Sequence, residues 1–124
     1  TEIYTLSLHD ALPISLAKKP RSILIFPEGT RSLDGNIQPF KKGGIIFAIN
    51  SGLPIVPMAC CGTFDVLVKG SKNFNSKPLE LRFAQPIKTK QDDMDQRNRI
   101  TEQVQNEVER LKNEWATTDQ KNVV

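Results

Sequence analysis

The run Phe26–Ser32, with the sequence FPEGTRS, holds the residues of this chain best suited to binding an anion. It follows a short apolar strand candidate, Ile23–Ile25, and Pro27 and Gly29 predict a tight turn between that strand and Arg31. An arginine just past a strand end can hold a phosphate through two parallel charge-assisted hydrogen bonds. The pattern indicates a phosphate-binding loop at the edge of a sheet, although the same string also suits an ordinary turn with a solvated arginine.

Neighbouring residues could complete such a phosphate site. Backbone N–H groups around Gly29 could donate to the ligand, because glycine lets an anion approach the main chain closely. Thr30 could add a hydroxyl donor, and Lys41 or Lys42 could add a point charge if the loop folds back toward the turn. Glu28 could accept a hydrogen bond from a substrate hydroxyl, or it could hold the arginine in a salt bridge.

No residue of the chain is a convincing catalytic base. The one histidine, His9, is followed directly by Asp10, and residues adjacent in a helix do not face each other. No metal-ligand cluster with a recognisable spacing is present. Cys60 and Cys61 are adjacent and have no other cysteine to pair with, which argues against a disulfide framework and fits a reducing compartment.

The first residues of the chain have an unusual character. Tyr4–Ser15, with the sequence YTLSLHDALPIS, resembles the translation of a common sequencing-library adapter, codon by codon from Tyr4 to Ile14. We therefore expect residues 1–15 to be a non-native artefact and set them aside from the fold prediction, as one sets aside a fusion scar. The alternative is a natural leucine-rich helix start that ends at Pro13.

Composition bounds what the chain can be. Its 124 residues, 38% hydrophobic and 25% charged, fit at most one soluble globular domain. No apolar run approaches the about 20 residues that a membrane-spanning helix needs. The formal charge of +3 suits phosphate ligands or anionic lipid headgroups. DNA or RNA binding is disfavoured, because the basic residues are dispersed and no aromatic platform accompanies them.

Apolar patterning predicts an α/β fold. Short apolar or alternating runs indicate strands, and the four-residue and three-residue spacing of Ile100, Val104, Val108, Leu111 and Trp115 indicates one helical face. Strands that alternate with helices are typical of α/β sheets. The predicted elements are a strand at Ser22–Phe26, a helix at Gly43–Asn50, strands at Ile55–Cys61 and Leu79–Phe83, and a helix at about Asp93–Trp115.

Several local features refine these elements. Pro57 inside the second strand predicts an edge position or a bulge, and both cysteines are expected to be buried in that strand. Gly43–Gly44 predicts a close backbone approach to a chain segment or a ligand. The polar stretch Phe64–Lys77 is expected to be a long connection, and the tail from Thr117 is expected to fray.

The FPEGTRS run also resembles the substrate-binding motif of the glycerolipid acyltransferases, the 1-acylglycerol-3-phosphate acyltransferase family. The resemblance extends in order and spacing over about residues 16 to 112. The further matching pieces are Gly35, Phe40–Gly43, Pro54–Pro57, Gly62–Thr63 and Ala84–Ile87.

The resemblance implies a partial glycerolipid-acyltransferase-like mixed sheet flanked by helices, with the N-terminal half missing. Residues 16–116 would be the C-terminal part of the acyltransferase domain, between the artefact at 1–15 and a frayed tail at 117–124. The implied reaction transfers an acyl group from acyl-CoA or acyl-carrier protein to lysophosphatidic acid, which yields phosphatidic acid for phospholipid synthesis. No cofactor beyond the acyl donor is implied. The full-length protein would associate with the cytoplasmic face of a membrane.

The resemblance also implies roles for two groups of residues. The acceptor's glycerol phosphate would be bound by the central loop, and the second group would line the acyl-donor side or simply pack as a strand. The acceptor-binding residues implied by the resemblance are Glu28, Gly29, Thr30, Arg31, Lys41 and Lys42. The residues implied on the acyl-donor side are Pro54, Ile55, Val56 and Pro57.

One departure from the family pattern changes the expectation for this chain. The family's His-x-x-x-x-Asp motif, whose histidine would act as general base on the acceptor hydroxyl, is absent. We therefore expect no catalytic residue in the chain and no acyltransferase activity from it alone. The alternatives are an acyltransferase acting on another lysophospholipid, and a non-catalytic module that binds phosphate or another anion.

Overall fold

The computed structural model describes residues 3–6, 22–67 and 70–122 of the chain. From residue 22 onward strands and helices alternate, as the apolar pattern predicts. The strands are β1 (Ile3–Leu6), β2 (Ser22–Ile25), β3 (Met58–Cys61) and β4 (Glu80–Phe83). The helices are α1 (Gly43–Ser51), a single turn α2 (Thr63–Val66), and α3 (Arg97–Asn122), which follows a 3-10 turn at Gln91–Gln96.

The strands pair in both senses, so the fold is a mixed α/β arrangement. Within the described residues, β1 and β2 form a parallel pair and β3 and β4 form an antiparallel pair, each a separate two-stranded sheet. β1 lies inside the segment 1–15, where the sequence predicts no native element. Parallel backbone pairing of this kind is open to any β-prone tetrapeptide such as Ile-Tyr-Thr-Leu, so the origin of that segment stays a prediction.

Helix α1 packs directly on β2. A Cβ added at Gly44 would lie 2.9 Å from both Cδ1 and Cγ2 of Ile25, which confirms the predicted close approach and identifies a chain segment as its partner. The helix ends at Gly52, whose φ of 65° lets its N–H bond to the carbonyls of Ala48 and Ile49. Thr89 supports the same end, because its hydroxyl donates to either the Ala48 or the Leu53 carbonyl, 3.1 and 2.7 Å away.

Helix α3 joins the two halves of the core. Its predicted apolar face is confirmed, since Ile100, Val104 and Leu111 are buried and Val108 and Trp115 are partly buried. The N-terminal half of α3 packs against α1, and the C-terminal half packs against β3. The buried clusters are Ile45, Ile49, Ile100 and Val104, and Ala59, Cys61 and Leu111. Helical geometry continues to Asn122, beyond the predicted end at Trp115.

Strand β3 is shorter than predicted. It begins at Met58, and upstream of it a single bridge joins Ile55 to Ile87. Pro57 lies between these two points, fully buried, and its carbonyl accepts a hydrogen bond from the Ala84 N–H at 3.0 Å. A proline has no N–H to donate to a ladder, which explains why the strand is interrupted there.

The two cysteines face opposite sides of β3. Cys61 is 1% exposed, whereas Cys60 is exposed, so the prediction that both are buried is wrong for Cys60. Successive side chains of a strand point to opposite faces, and α3 covers only one face of this sheet. Cys60 pairs across the ladder with Leu81, and Met58 pairs with Phe83.

Strand β4 exposes its apolar face. Leu81 and Phe83 are 58% and 60% exposed, while Arg82, on the other face, lies opposite the buried Ala59. Upstream of β4, the connection predicted at Phe64–Lys77 begins with the single turn α2.

Candidate functional site

The FPEGTRS run begins with a tight turn at the end of β2. Pro27 and Glu28 occupy the middle of the turn, and the Gly29 N–H closes it onto the Phe26 carbonyl at 3.1 Å. Proline at the second position and glycine at the fourth are the residues that a type I turn favours. Gly29 has a φ of 71°, a left-handed backbone conformation that glycine adopts readily because it has no Cβ.

Glu28 links the two sides of the loop that follows. Its Oε2 accepts a hydrogen bond from the Gln38 N–H at 2.9 Å, ten residues further along the chain. Within the described part of the chain it forms no salt bridge with Arg31, so the arrangement suggested as one option by the sequence is wrong. The carboxylate instead satisfies a partly buried backbone donor and holds the exit of the loop against its entrance.

The loop folds back toward the turn, which is the condition under which Lys41 or Lys42 could add a positive charge to the site. The Lys41 N–H donates to the Pro27 carbonyl at 2.8 Å, so the backbone at Lys41 lies against the turn. Lys42 immediately precedes α1, whose start has no side-chain cap and no acidic residue in its first turn. Two lysines and the N-terminal end of a helix therefore lie beside the FPEGTRS run, and both favour anions.

Arg31 projects from the loop into solvent. Its side chain is exposed, and among the described residues no hydrogen bond or ion pair engages its guanidinium. Thr30 precedes it and places its hydroxyl 3.4 Å from the Arg31 carbonyl. An exposed guanidinium with its five donors available is chemically ready for a phosphate or carboxylate ligand.

Asp34 organises the loop just beyond Arg31. Its Oδ1 accepts from the Asn36 N–H and from the Ser32 hydroxyl, both at 3.0 Å, and its Oδ2 accepts from the Asn36 amide at 3.1 Å. The backbone bond from Asn36, followed by the two side-chain bonds, lowers the pKa of Asp34 below its ordinary value of 3.8. An Asp side chain that bonds a backbone N–H two residues on forms an Asx-turn.

Two contacts with α3, which the sequence analysis did not identify, hold the loop in place. The Phe40 N–H donates to Gln105 Oε1 at 3.0 Å, and the Lys112 ammonium donates to the Gly35 carbonyl. These partners are 65 and 77 residues apart in the chain. No local sequence pattern predicts these two hydrogen bonds, because the partners come together only when α3 packs against the rest of the fold.

The segment Pro54–Pro57 has a packing role in the structure. Ile55 exchanges two backbone hydrogen bonds with Ile87, at 2.8 and 2.7 Å, and its side chain packs against the cluster around Ile49. Pro57 is buried, whereas Val56 is 50% exposed and Pro54 is exposed. In the described residues no backbone hydrogen bond joins this segment to the FPEGTRS loop. The structure thus brings Glu28–Arg31 and Lys41–Lys42 together in one loop and places Pro54–Pro57 in a separate β segment.

Other kinds of site find little support in the described residues. Across residues 22–67 and 70–122, no three His, Cys, Asp or Glu side chains are placed to hold a metal ion. In the same ranges, no helix combines the length and the apolar character that crossing a bilayer requires. His9 and Asp10 lie outside the described residues.

Comparison with protein families gives a match that includes this loop. The sequence profile of the Acyltransferase family matches residues 5–61, which include the turn, the loop, α1 and β3. The match begins inside the segment set aside as an artefact.

Individual relatives agree with the profile. The chain is 45% identical over 75 residues to the 1-acyl-sn-glycerol-3-phosphate acyltransferase of Cocos nucifera, covering 60% of this chain and 24% of that protein. It is 41% identical over 83 residues to the enzyme of the same name from Limnanthes douglasii, covering 67% and 29%. The human alpha enzyme of that name is 34% identical over 67 residues, covering 54% and 24%. The chain thus spans about a quarter of the length of these relatives.

A solved structure shares the fold. The crystal structure of the 1-acyl-sn-glycerophosphate (LPA) acyltransferase from Thermotoga maritima is similar to this chain with a TM-score of 0.71 and 27% sequence identity. The similarity covers 83% of this chain and 42% of the other.

Proposed function

Because the chain is a homologue of the acyltransferase family over part of its relatives' length, we propose that its FPEGTRS loop binds the phosphate of a lysophosphatidic acid acceptor. The relatives named above are 1-acyl-sn-glycerol-3-phosphate acyltransferases. In the full-length protein the reaction would move an acyl group from acyl-CoA or acyl-carrier protein to the acceptor hydroxyl and yield phosphatidic acid. Such a protein would work at the cytoplasmic face of a membrane, where its lipid acceptor lies.

The observation that carries this proposal is the exposed guanidinium of Arg31 on a loop whose backbone is held at several points. The turn bond to Phe26, the Glu28 bond to Gln38 and the Lys41 bond to Pro27 hold the loop closed beneath Arg31. A donor group fixed before binding loses less conformational entropy when the ligand arrives. Gly29, Thr30, Lys41 and Lys42 would add backbone, hydroxyl and ammonium donors around the same phosphate.

Glu28 has a narrower role in this proposal than the sequence suggests. One of its oxygens already accepts from the Gln38 N–H, so the residue acts first as a brace of the loop. Its second oxygen could accept from the glycerol hydroxyl of the acceptor. Pro54, Ile55, Val56 and Pro57 would form part of the wall on the acyl-donor side, with the exposed Val56 as the side chain that contacts the acyl group.

The chemistry of acyl transfer needs a group that this chain does not supply. A base must remove the proton of the acceptor hydroxyl as its oxygen attacks the thioester carbonyl, and such a base contributes about 10²–10⁴-fold in rate. The sequence has no His-x-x-x-x-Asp motif. We therefore propose that the chain by itself binds acceptor without turning it over. Release of free CoA thiol from acyl-CoA by the pure chain, dependent on lysophosphatidic acid, would contradict this.

The binding experiment compares two arginines of the same chain. Titration with sn-glycerol 3-phosphate, followed by backbone and arginine side-chain NMR, should give about tenfold to 100-fold weaker binding for Arg31→Met, because a charge-assisted contact is lost. Arg99→Met is the matched control, since Arg99 is an exposed residue on α3 outside the loop. Equal affinities for wild type and Arg31→Met would overturn the proposal.

A second candidate function is a non-catalytic module that binds phosphate or another anion. The observation in its favour is that the bonds described around the loop, made by Glu28, Lys41, Gln105 and Lys112, involve no histidine. Sequencing of uninterrupted source DNA across Ser15 separates the two. A His-x-x-x-x-Asp block upstream supports the acyltransferase, whereas a genomic origin for Tyr4–Ser15 favours the binding module.

A further inference from the structure

We propose that helix α3 sets the position of the phosphate-binding loop through two positioning residues, Gln105 and Lys112. The inference rests on the proposed function of the loop and adds residues that no motif of the loop itself contains. Both side chains reach from the helix to the loop backbone, one at its exit and one near its middle.

Gln105 fixes the exit of the loop. Its Oε1 accepts the Phe40 N–H at 3.0 Å, and its Nε2 donates to Glu109 Oε1 at 2.9 Å. The second bond orients the amide so that the oxygen faces Phe40 and the nitrogen faces Glu109. The Phe40 side chain packs against the core cluster around Ile49. The backbone next to Lys41 is therefore held by a directed hydrogen bond as well as by apolar packing.

Lys112 fixes the middle of the loop. Its ammonium donates to the Gly35 carbonyl, and on the other side Gly35 lies against the ring of Phe64, whose Cδ1 would be 3.3 Å from an added Cβ. Gly35 adjoins Asp34, whose carboxylate bonds Ser32 and Asn36. The lysine thus holds a turn that is already internally bonded, four residues after Arg31.

The two contacts act together because of their spacing on one helix. Gln105 and Lys112 are seven residues apart, which is about two turns and about 10.5 Å along an α-helix. They therefore lie on one side of α3, whose buried residues Val104 and Leu111 fix it to the rest of the core. Arg31 lies in the loop between Glu28, bonded to Gln38, and Gly35, bonded to Lys112. Its position is set by helix α3 rather than by the loop alone.

The test removes each contact and keeps a matched control. In Gln105→Ala, we expect glycerol 3-phosphate binding to weaken by about two- to tenfold, the value of one lost hydrogen bond. The Arg31 side-chain N–H resonance should shift in the unliganded protein. Lys112→Met keeps the aliphatic stem and should give the same two effects. Gln103→Ala changes an exposed glutamine on the same helix and should give neither.

A double variant that exchanges the amide and the carboxylate distinguishes a positioning role of Gln105 from a role in overall stability. In the double variant Gln105→Glu with Glu109→Gln, the new carboxylate at position 105 accepts the Phe40 N–H, and the new amide at position 109 donates to that carboxylate. This pair should restore both the affinity and the Arg31 resonance. A role limited to stability predicts instead that the single variants lower the urea midpoint while affinity and the Arg31 resonance stay unchanged, which would overturn the inference.

The outcomes also distinguish this inference from the proposed function. If Arg31→Met abolishes binding while Gln105→Ala and Lys112→Met bind normally, the loop binds phosphate but α3 does not position it. If wild type fails to bind glycerol 3-phosphate, the proposed function is overturned. The shift of the Arg31 resonance in Gln105→Ala then still decides whether the helix positions the loop.

Discussion

Asp34 shows how one side chain shapes the loop that presents Arg31. Its hydrogen bonds to Asn36 and Ser32 lower its pKa below 3.8. A lowered folded-state pKa means that the contribution to loop order is present above the unfolded-state pKa and is lost as pH falls through the folded-state value.

We therefore expect the Asn36 amide resonance to move toward a disordered-chain position when the pH falls below about 3.8, the ordinary pKa. Asp34→Ala should show that disordered position already at neutral pH and no change on acidification. An Asn36 resonance in wild type that stays constant down to the acid unfolding transition would show that Asp34 does not hold this turn.

The two cysteines give a second test at the same scale. Cys60 is exposed and Cys61 is buried. Desolvation by neighbouring atoms, partial in the case of Cys60, raises the pKa of both thiols above 9.0. With a thiol reagent, the folded protein should react at one site, slowly near neutral pH and faster as pH rises, because the thiolate is the reacting form. The second site should react only in denaturant. Cys60→Ser should remove the reaction of the folded protein, whereas labelling of two thiols under native conditions would contradict the assigned faces of β3.

At the scale of elements, substitution of two glycines with positive φ distinguishes the cost of backbone strain from the cost of a steric clash. Gly52 has a φ of 65° with open space around it, and Gly62 has a φ of 85° with the Pro78 carbonyl oxygen 2.5 Å from where a Cβ would lie. Gly52→Ala should cost about 1–2 kcal/mol of unfolding free energy, the penalty of the left-handed conformation. Gly62→Ala should cost clearly more, because the collision is with backbone. Urea unfolding of the two variants measures the difference, and equal costs would show that the β3–α2 junction relaxes.

The local sequence pattern predicted some of the helices and strands correctly but not all of their bounds or covered faces. The turn at Pro27, α1 and the apolar face of α3 are confirmed, because each depends on residues within a few turns of one another. The strand predicted at Ile55–Cys61 is confirmed only from Met58. Alternation predicts that β3 has two faces, but it cannot say that α3 covers the Cys61 face and leaves the Cys60 face open.

At the scale of the whole molecule, we expect the uncovered apolar face of β4 to promote self-association. Leu81 and Phe83 are 58% and 60% exposed, and they lie beside the exposed Cys60. Contiguous exposed apolar surface on a sheet promotes association. Leu81→Lys and Phe83→Lys should each lower self-association in sedimentation velocity at fixed concentration.

Phe74→Lys is the matched control for this prediction. Phe74 is 76% exposed but lies on the connection before β4, outside the sheet. It should change association less than the strand variants. Equal behaviour of the three variants would mean that added charge, and not the sheet face, governs association.

The sequence by itself determined the local features of this protein. The α/β order, the turn in FPEGTRS, the helix that begins at Gly43 and the one-sided apolar stripe of α3 follow from turn chemistry and periodicity over short distances. The resemblance to the glycerolipid acyltransferases rests on the same kind of local information, an ordered series of short motifs.

Only the tertiary structure decided which side chains hold the loop and which faces are covered. Glu28 bonds Gln38 rather than Arg31, Gln105 and Lys112 reach the loop from 65 and 77 residues away, and the apolar face of β4 is the exposed one. The contacts of Gln105 and Lys112 and the covered face of the sheet depend on how α3 docks across both core clusters. Docking is set by the summed packing of residues distant in sequence, and no short-range spacing encodes it.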